Sequence, residues 1–207
     1  MARSKSSRGW LHEHVTDPYV RRARSEGFRS RAAYKLQQIA NRDRLFTPGM
    51  TVVDLGAAPG GWSQIAASAV GPRGRVIAVD LLEMDALPGV IRVQGDFGEE
   101  AVLARLEREL HGKPVDIVLS DMAPNISGVA SADQARAVAL AELGLEFALK
   151  HLKPQGKFLV KAFHGAGFEG LLQTIRQRFA KVTIRKPEAS RSRSSEVYLL
   201  GAGVKRA

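Results

Sequence analysis

After Pro48-Gly49 the chain settles into short apolar runs separated by longer helical patterns. Apolar runs at 51–55, 76–80, 90–93, 115–120, 157–161, 181–185 and 197–200 predict strands. Helical patterns near 62–70, 99–111, 133–151 and 166–179 fill the spaces between most of them. Strands alternating with helices give an α/β fold with a mostly parallel sheet covered on both faces. The last connection departs from this rule. Positions 187–195 offer nine residues, too few for a parallel crossover of about a dozen or more. The final two strands are therefore predicted to run antiparallel, in a seven-stranded sheet whose last strand is reversed. Upstream, Asp17-Pro18 reads as a helix cap with proline at the first helical position. Helical character continues to about Asn41, broken near Gly27. Residues 1–16 read as a disordered basic arm, 17–48 as a helical extension and 49–207 as the core of one domain spanning 17–207.

The run Val52-Val53-Asp54-Leu55-Gly56-Ala57-Ala58-Pro59-Gly60-Gly61-Trp62-Ser63-Gln64 carries the strongest chemical signal. A strand bearing a carboxylate meets a glycine-rich turn, and a helix opens at Trp62-Ser63 and stops at Gly71-Pro72. Such turns hold nucleotide-like cofactors in open α/β sheets, because glycine lets the backbone approach the ligand. The spacing is not that of a dinucleotide site, since Ala57-Ala58-Pro59 separates the glycines. Nor is it a phosphate-gripping loop, since no Lys-Ser or Lys-Thr follows. A cofactor with an adenosine and no phosphates fits, and S-adenosylmethionine (S-adenosyl-L-methionine) is the first candidate. Asp80 ends the second strand twenty residues after Gly60, where a carboxylate accepts from ribose hydroxyls. Asp96, within Gly-Asp-Phe, is placed to accept from the adenine amino group, with Trp62 or Phe97 packing nearby. The plainer alternative is that Asp80 and Asp96 cap loops and Trp62 fills the core.

Charge adds a partner. The net charge is +10, and it is segregated. Residues 1–35 carry nine Lys/Arg against three acids, residues 176–207 nine against two, and the middle thirteen against sixteen. Basic ends on a mildly acidic core suggest a polyanion such as nucleic acid. Arg191 and Arg193 lie in the loop leaving the carboxyl end of its strand, the end where open sheets bind ligands. With no cysteine there is no disulfide, thiolate metal site, iron–sulfur cluster or cysteine nucleophile. His12 and His14 lack carboxylate support, so no metal is assigned. No apolar run spans a bilayer and no signal peptide is evident, so a cytoplasmic protein with no membrane contact is expected. Nothing marks an oligomer seam, and a monomer is expected.

Asp121 follows the strand at 115–120 and leads into Met122-Ala123-Pro124-Asn125. This is not the Asn/Asp-Pro-Pro-aromatic pocket that aligns an amino acceptor, and the lack of cysteine removes cytosine-C5 chemistry. An oxygen acceptor remains. Lys161 ends the run Phe158-Leu159-Val160 and would enter the same crevice, unless it is only a snorkelling edge residue. His164 is a rival base three positions later.

Four stretches together, Asp-Leu-Gly-Ala-Ala-Pro-Gly-Gly-Trp-Ser, Ser-Asp-Met-Ala-Pro-Asn, Leu-Val-Lys-Ala-Phe and Arg-Ser-Arg-Ser-Ser-Glu-Val-Tyr, resemble the FtsJ-type ribosomal RNA ribose methyltransferases. The resemblance spans about residues 10–200. It implies a Rossmann-like class I methyltransferase fold and a Lys-Asp-Lys-Glu tetrad at Lys35, Asp121, Lys161 and Glu196. Lys35 and Glu196 carry their roles by resemblance alone. It implies cofactor contacts at Gly60, Trp62, Asp80, Asp96 and Asp121. The implied acceptor is the 2′-hydroxyl of a uridine in the peptidyl-transferase region of large-subunit ribosomal RNA. Lys161 then serves either as a neutral general base or as a cation holding the developing alkoxide. Lowering a lysine from about 10.4 to about 7.5 costs roughly 4 kcal/mol. The like charge of Lys35 favours that shift and the two carboxylates oppose it, a balance the sequence leaves open. Alternatives are a ribose methyltransferase for transfer RNA or an mRNA cap, a non-catalytic RNA-binding assembly factor, and a nicotinamide-dependent oxidoreductase.

Overall fold

The computed structural model describes residues 17–191 and 193–205. The basic arm expected at 1–16, with His12 and His14, lies outside these residues. The elements are α1 (Pro18–Ser25), α2 (Ala32–Asp43), β1 (Thr51–Leu55), α3 (Gly61–Val70), β2 (Arg75–Asp80) and β3 (Val90–Gln94). They continue with α4 (Glu100–Leu110), β4 (Val115–Ser120), α5 (Ala130–His151), β5 (Leu152–Phe163), α6 (Phe168–Arg178), β6 (Phe179–Arg185) and β7 (Glu196–Val204).

The seven strands form one sheet in the order β3-β2-β1-β4-β5-β7-β6. β7 lies between β5 and β6 and is antiparallel to both, while the pairs from β3 to β5 are parallel. The α/β fold and the reversed last strand are thus as the loop-length argument required. Chain order reverses between β1 and β4, and open sheets bind ligands at the carboxyl ends of strands beside such a switch.

Strand side chains alternate between faces, and this alternation places the site. Val53, Leu55, Val79, Val118, Phe158 and Val160 belong to the core layer under α4, α5 and α6. Val52, Val76, Ile117, Leu119, Leu159, Tyr198 and Leu200 belong to the opposite layer, with Leu36 and Ile39 of α2 and Trp62 and Ala66 of α3. Lys161 shares parity with Leu159, and Glu196 shares parity with Tyr198 and Leu200. Both therefore face α2, which carries Lys35.

The helical extension is two helices with the break at Gly27, as predicted. Asp17 accepts from the Tyr19 N–H ahead of Pro18, as predicted, and Gly27 adopts φ 75° in the connection to α2. β5 begins at Leu152, earlier than the apolar run at 157 indicates. The added stretch contains Pro154 and Gly156, and its pairing with β4 shifts register between Val115 and Ile117. Among the described residues no helix is long and apolar enough to cross a membrane.

Candidate active site

The cofactor turn is built from steric need. Gly56 sits at φ 75°, and a Cβ there would lie 2.8 Å from the backbone N and Cα of Met122. The turn after β1 thus runs against the backbone just beyond Asp121. Gly60 sits at φ 108°, where a Cβ would press on Leu87 and Met84. Asp80 fixes the turn from the neighbouring strand: one carboxylate oxygen accepts from the Ala58 N–H (2.8 Å), the other from the Leu82 N–H (2.7 Å). Each oxygen keeps lone pairs for a ribose hydroxyl. A cleft of about 470 Å³ opens beside it, lined by Ala57, Asp80, Leu82, Met84, Arg92 and Arg105 among others. Asp96 is exposed and accepts from the Gly98 N–H (2.9 Å). The aromatic side chains behave as core residues. Trp62 is buried, donates to the Ala32 carbonyl (2.9 Å) and packs on Tyr198, so its ring joins α2 to α3. Phe97 packs edge-on against Phe147.

The helical extension braces this turn. The Arg29 guanidinium donates to the carbonyls of Pro59 (3.2 Å), Asp85 (2.8 Å) and Ala86 (2.7 Å). Gln64 of α3 accepts from the Arg29 N–H (2.8 Å) and donates to the Gly27 carbonyl (3.0 Å). Nothing in the sequence spacing announced this brace, because it joins residues 30–57 positions apart.

Lys35, Asp121, Lys161 and Glu196 come together, although 161 positions separate the first from the last. Lys35 Nζ donates to both Glu196 oxygens (2.7 and 2.8 Å), and Ser190 Oγ donates to Oε1 (2.9 Å). Lys161 Nζ donates to the Asp121 carbonyl (2.5 Å) and lies 3.1 Å from its Oδ1. Tyr198 links the two pairs: its hydroxyl donates to Asp121 Oδ1 (3.1 Å) and Lys35 Nζ stands 5.9 Å above its ring. Burial pushes the Glu196 carboxyl up, but the Lys35 charge, hydrogen bonds from Lys35 and Ser190, and the Lys161 charge outweigh it and hold it below the usual carboxylate range. Burial, followed by the charges of Asp121 and Glu196, pushes the Tyr198 phenol well above its ordinary value, so it remains a donor. Tyr198 and Ser190 were not singled out from sequence. The one signal was that Tyr198 lies two positions after Glu196, on the same strand face. His164 is exposed, packs at a tilt against Phe168 and gives its backbone N–H to the Ser195 carbonyl.

The 187–195 loop closes the site. Arg31 of the extension donates to Asp17 and to the Ala189 carbonyl, and Gln38 accepts from the Ala189 N–H (3.0 Å). Lys186 donates to the carbonyls of Ser194 and Glu196. A cleft of about 150 Å³ is lined by Arg31, Lys35, Arg191, Ser194 and Glu196. Arg191 Nε lies 3.8 Å from Asp17, and Arg193 is exposed. The loop thus places Arg191 at the cleft that Lys35 and Glu196 line.

Asp54 lies behind the glycine turn and is wholly buried. One carboxyl oxygen accepts from Ser63 Oγ (2.7 Å), and Oδ1 has no partner. Burial, with smaller contributions from the charges of Asp121 and Asp80, pushes its pKa up to about 7 against the opposing Ser63 hydrogen bond.

The sequence model of the FtsJ-like methyltransferase family matches residues 28–204. A protein of Azoarcus sp. (strain BH72) called ribosomal RNA large subunit methyltransferase E is 59% identical over 205 residues, covering 99% of this chain and all of its own length. The protein of the same description from Methylobacillus flagellatus is 58% identical over 201 residues, 97% of each chain. Among solved structures, a Plasmodium falciparum chain provisionally described as a ribosomal RNA methyltransferase superposes with a TM-score of 0.74 at 28% identity. It covers 86% of this chain and 98% of that one. The chain belongs to the FtsJ-like methyltransferase family.

Proposed function

We propose that this protein transfers a methyl group from S-adenosylmethionine to the 2′-hydroxyl of a uridine ribose in large-subunit (23S) ribosomal RNA, in support of subunit assembly. The observation that carries the reading is the convergence of Lys35–Glu196 and Lys161–Asp121 on one sheet face beside the glycine turn. The residues present fit that cofactor. Asp80 keeps free lone pairs beside the cleft of about 470 Å³, and Asp54 holds an unpartnered buried oxygen close to the turn. When bound, S-adenosylmethionine supplies an electrophilic methyl on a sulfonium. The protein must then align a ribose oxygen behind that methyl and deal with its proton.

Lys161 Nζ is the group we assign to the reacting oxygen. As an amine it takes the hydroxyl proton; as an ammonium it holds the developing alkoxide. Asp121 orients Lys161 through its carbonyl and carboxylate, and Tyr198 steadies that carboxylate. The Lys35–Glu196 pair borders the smaller cleft, where it would receive the ribose. Gly60, Asp80 and Asp96 are assigned to the cofactor through backbone or carboxylate groups. Trp62 contributes backbone at the start of α3 rather than its ring. Residues 17–207 act as one methyltransferase domain, monomeric and cytoplasmic, with RNA contacted by the basic N-terminal segment and the loop around Arg191 and Arg193.

The test incubates the protein with methyl-labelled S-adenosylmethionine and unmodified large ribosomal subunits, then analyses digested RNA. Label in 2′-O-methyluridine is expected. Transfer to transfer RNA or capped RNA instead would overturn the target, and no transfer to any RNA would favour a non-catalytic assembly factor. Each phosphate contact adds roughly 0.7–0.9 to the slope of log affinity against log salt. Arg191→Gln with Arg193→Gln is therefore expected to flatten that slope by about 1.5 in a filter-binding titration. An unchanged slope would remove this loop from the RNA surface.

A further inference from the structure

The Asp54 carboxyl is given no step in the transfer above, yet it is the most deeply buried acid near it. It is wholly enclosed, with Oδ1 unpartnered and Oδ2 held only by Ser63. An ionised carboxylate in that setting has surrendered hydration for one neutral hydrogen bond. The charged groups facing it are Asp80 at the end of β2 and Asp121 beyond β4, both of its own sign. From α3 it receives the Ser63 hydroxyl and the positive end of the helix. The lysines of the tetrad are engaged with Asp121 and Glu196. Three acids therefore surround the glycine turn, and a cation placed there would relieve all of them.

We propose that Asp54 is the buried counter-charge that separates the cationic cofactor from its neutral demethylated product, ionised with the first and protonated with the second. The inference rests on S-adenosylmethionine being the methyl donor. That molecule carries a net single positive charge, and its thioether product carries none. In the transfer the S–CH3 bond breaks and the O–CH3 bond forms. Sulfur keeps the electron pair, and the hydroxyl proton leaves to bulk water, by way of Lys161 where that group is an amine. Asp54 takes up one proton from bulk water as the sulfonium charge disappears, so the bound complex gains the proton that the reaction releases. The protein then carries no extra buried negative charge in the product complex. The affinity of Asp54 for a proton near neutrality makes the exchange possible at working pH. Asp54 acts through charge, as a specificity-determining residue, and does not touch the reacting atoms.

Calorimetric titration of the full chain at pH 6, in buffers of different ionisation enthalpy, counts the protons exchanged on binding. S-adenosylmethionine is expected to release close to one proton, and S-adenosylhomocysteine close to none. An analogue carrying an amine in place of the sulfonium methyl should behave like S-adenosylmethionine, which shows that charge rather than shape is read. Between pH 5.5 and pH 7 the preference for S-adenosylmethionine over S-adenosylhomocysteine should grow roughly tenfold. In Asp54→Asn both the proton release and this pH dependence should disappear. Equal proton counts for the two ligands in the unaltered protein, a comparison that needs no variant, would overturn the proposal. So would release that persists in Asp54→Asn. Failure of either ligand to bind would instead overturn the cofactor assignment itself.

Discussion

Lys161→Ala should lower the rate of methyl transfer by roughly a thousandfold, within the range by which a positioned acid–base group accelerates a reaction, while cofactor affinity stays within about twofold. The separation follows from geometry. Lys161 is the last polar group on an apolar run of β5, and its Nζ meets the carbonyl and carboxylate of Asp121 rather than the glycine turn. Removing it leaves Asp121 tied to Tyr198 and leaves Asp80 on the Ala58 and Leu82 N–H groups. Single-turnover kinetics with RNA, set beside a cofactor titration, measure both quantities. Cofactor affinity lost in step with the rate would contradict the assignment. Lys161→Arg then separates the two chemical roles. Arginine cannot give up its proton in a protein but keeps the charge and the donors. An Arg variant as inactive as Ala identifies a proton acceptor, and one that recovers much of the rate identifies a cation.

Ligand-free protein should become less stable, relative to Asp54→Asn, as pH rises. Unfolded, the Asp54 carboxyl titrates at about 3.9; folded, it titrates at about 7. Below about pH 4 both states hold the proton and the group costs nothing. From there upward the unfolded chain releases its proton first, so stability falls. Above the folded value the whole difference, about 4 kcal/mol, has been lost. Between pH 5 and pH 8.5 the expected relative loss is roughly 2–3 kcal/mol, measurable by denaturant unfolding of both proteins at each pH. Parallel behaviour of the two proteins would show that Asp54 does not titrate in this range.

These two residues show how far the amino-acid order reaches. Strands 51–55 and 115–120 were legible to the residue, because strands buried on both faces must be apolar almost throughout. The reversal of β7 was legible from a nine-residue loop, since a parallel crossover has a minimum length. The start of β5 was not, because Pro154 and Gly156 carry turn chemistry that pairing with β4 overrides. Asp80 and Lys161 were legible as candidates because each sits at the end of a recognisable strand. Lys35 and Glu196 could be named only through the family pattern, for a helix lysine and a strand-edge acid look ordinary in isolation. For Trp62 the sequence left packing near the cofactor and filling the core both open, and its ring packs between α2 and α3.

The sequence by itself determined the alternation of elements, the glycine turn and the acids at the strand ends. Each depends on neighbours a few positions away, through periodicity, turn stereochemistry or loop length. Only the tertiary structure decided that Lys35 meets Glu196, that Tyr198 spans the two ion pairs, and that one oxygen of Asp54 is left unpartnered. Those properties come from which charges are buried together and which hydrogen bonds they find. Burial and electrostatic pairing are set by contacts between distant segments, so no local pattern carries them.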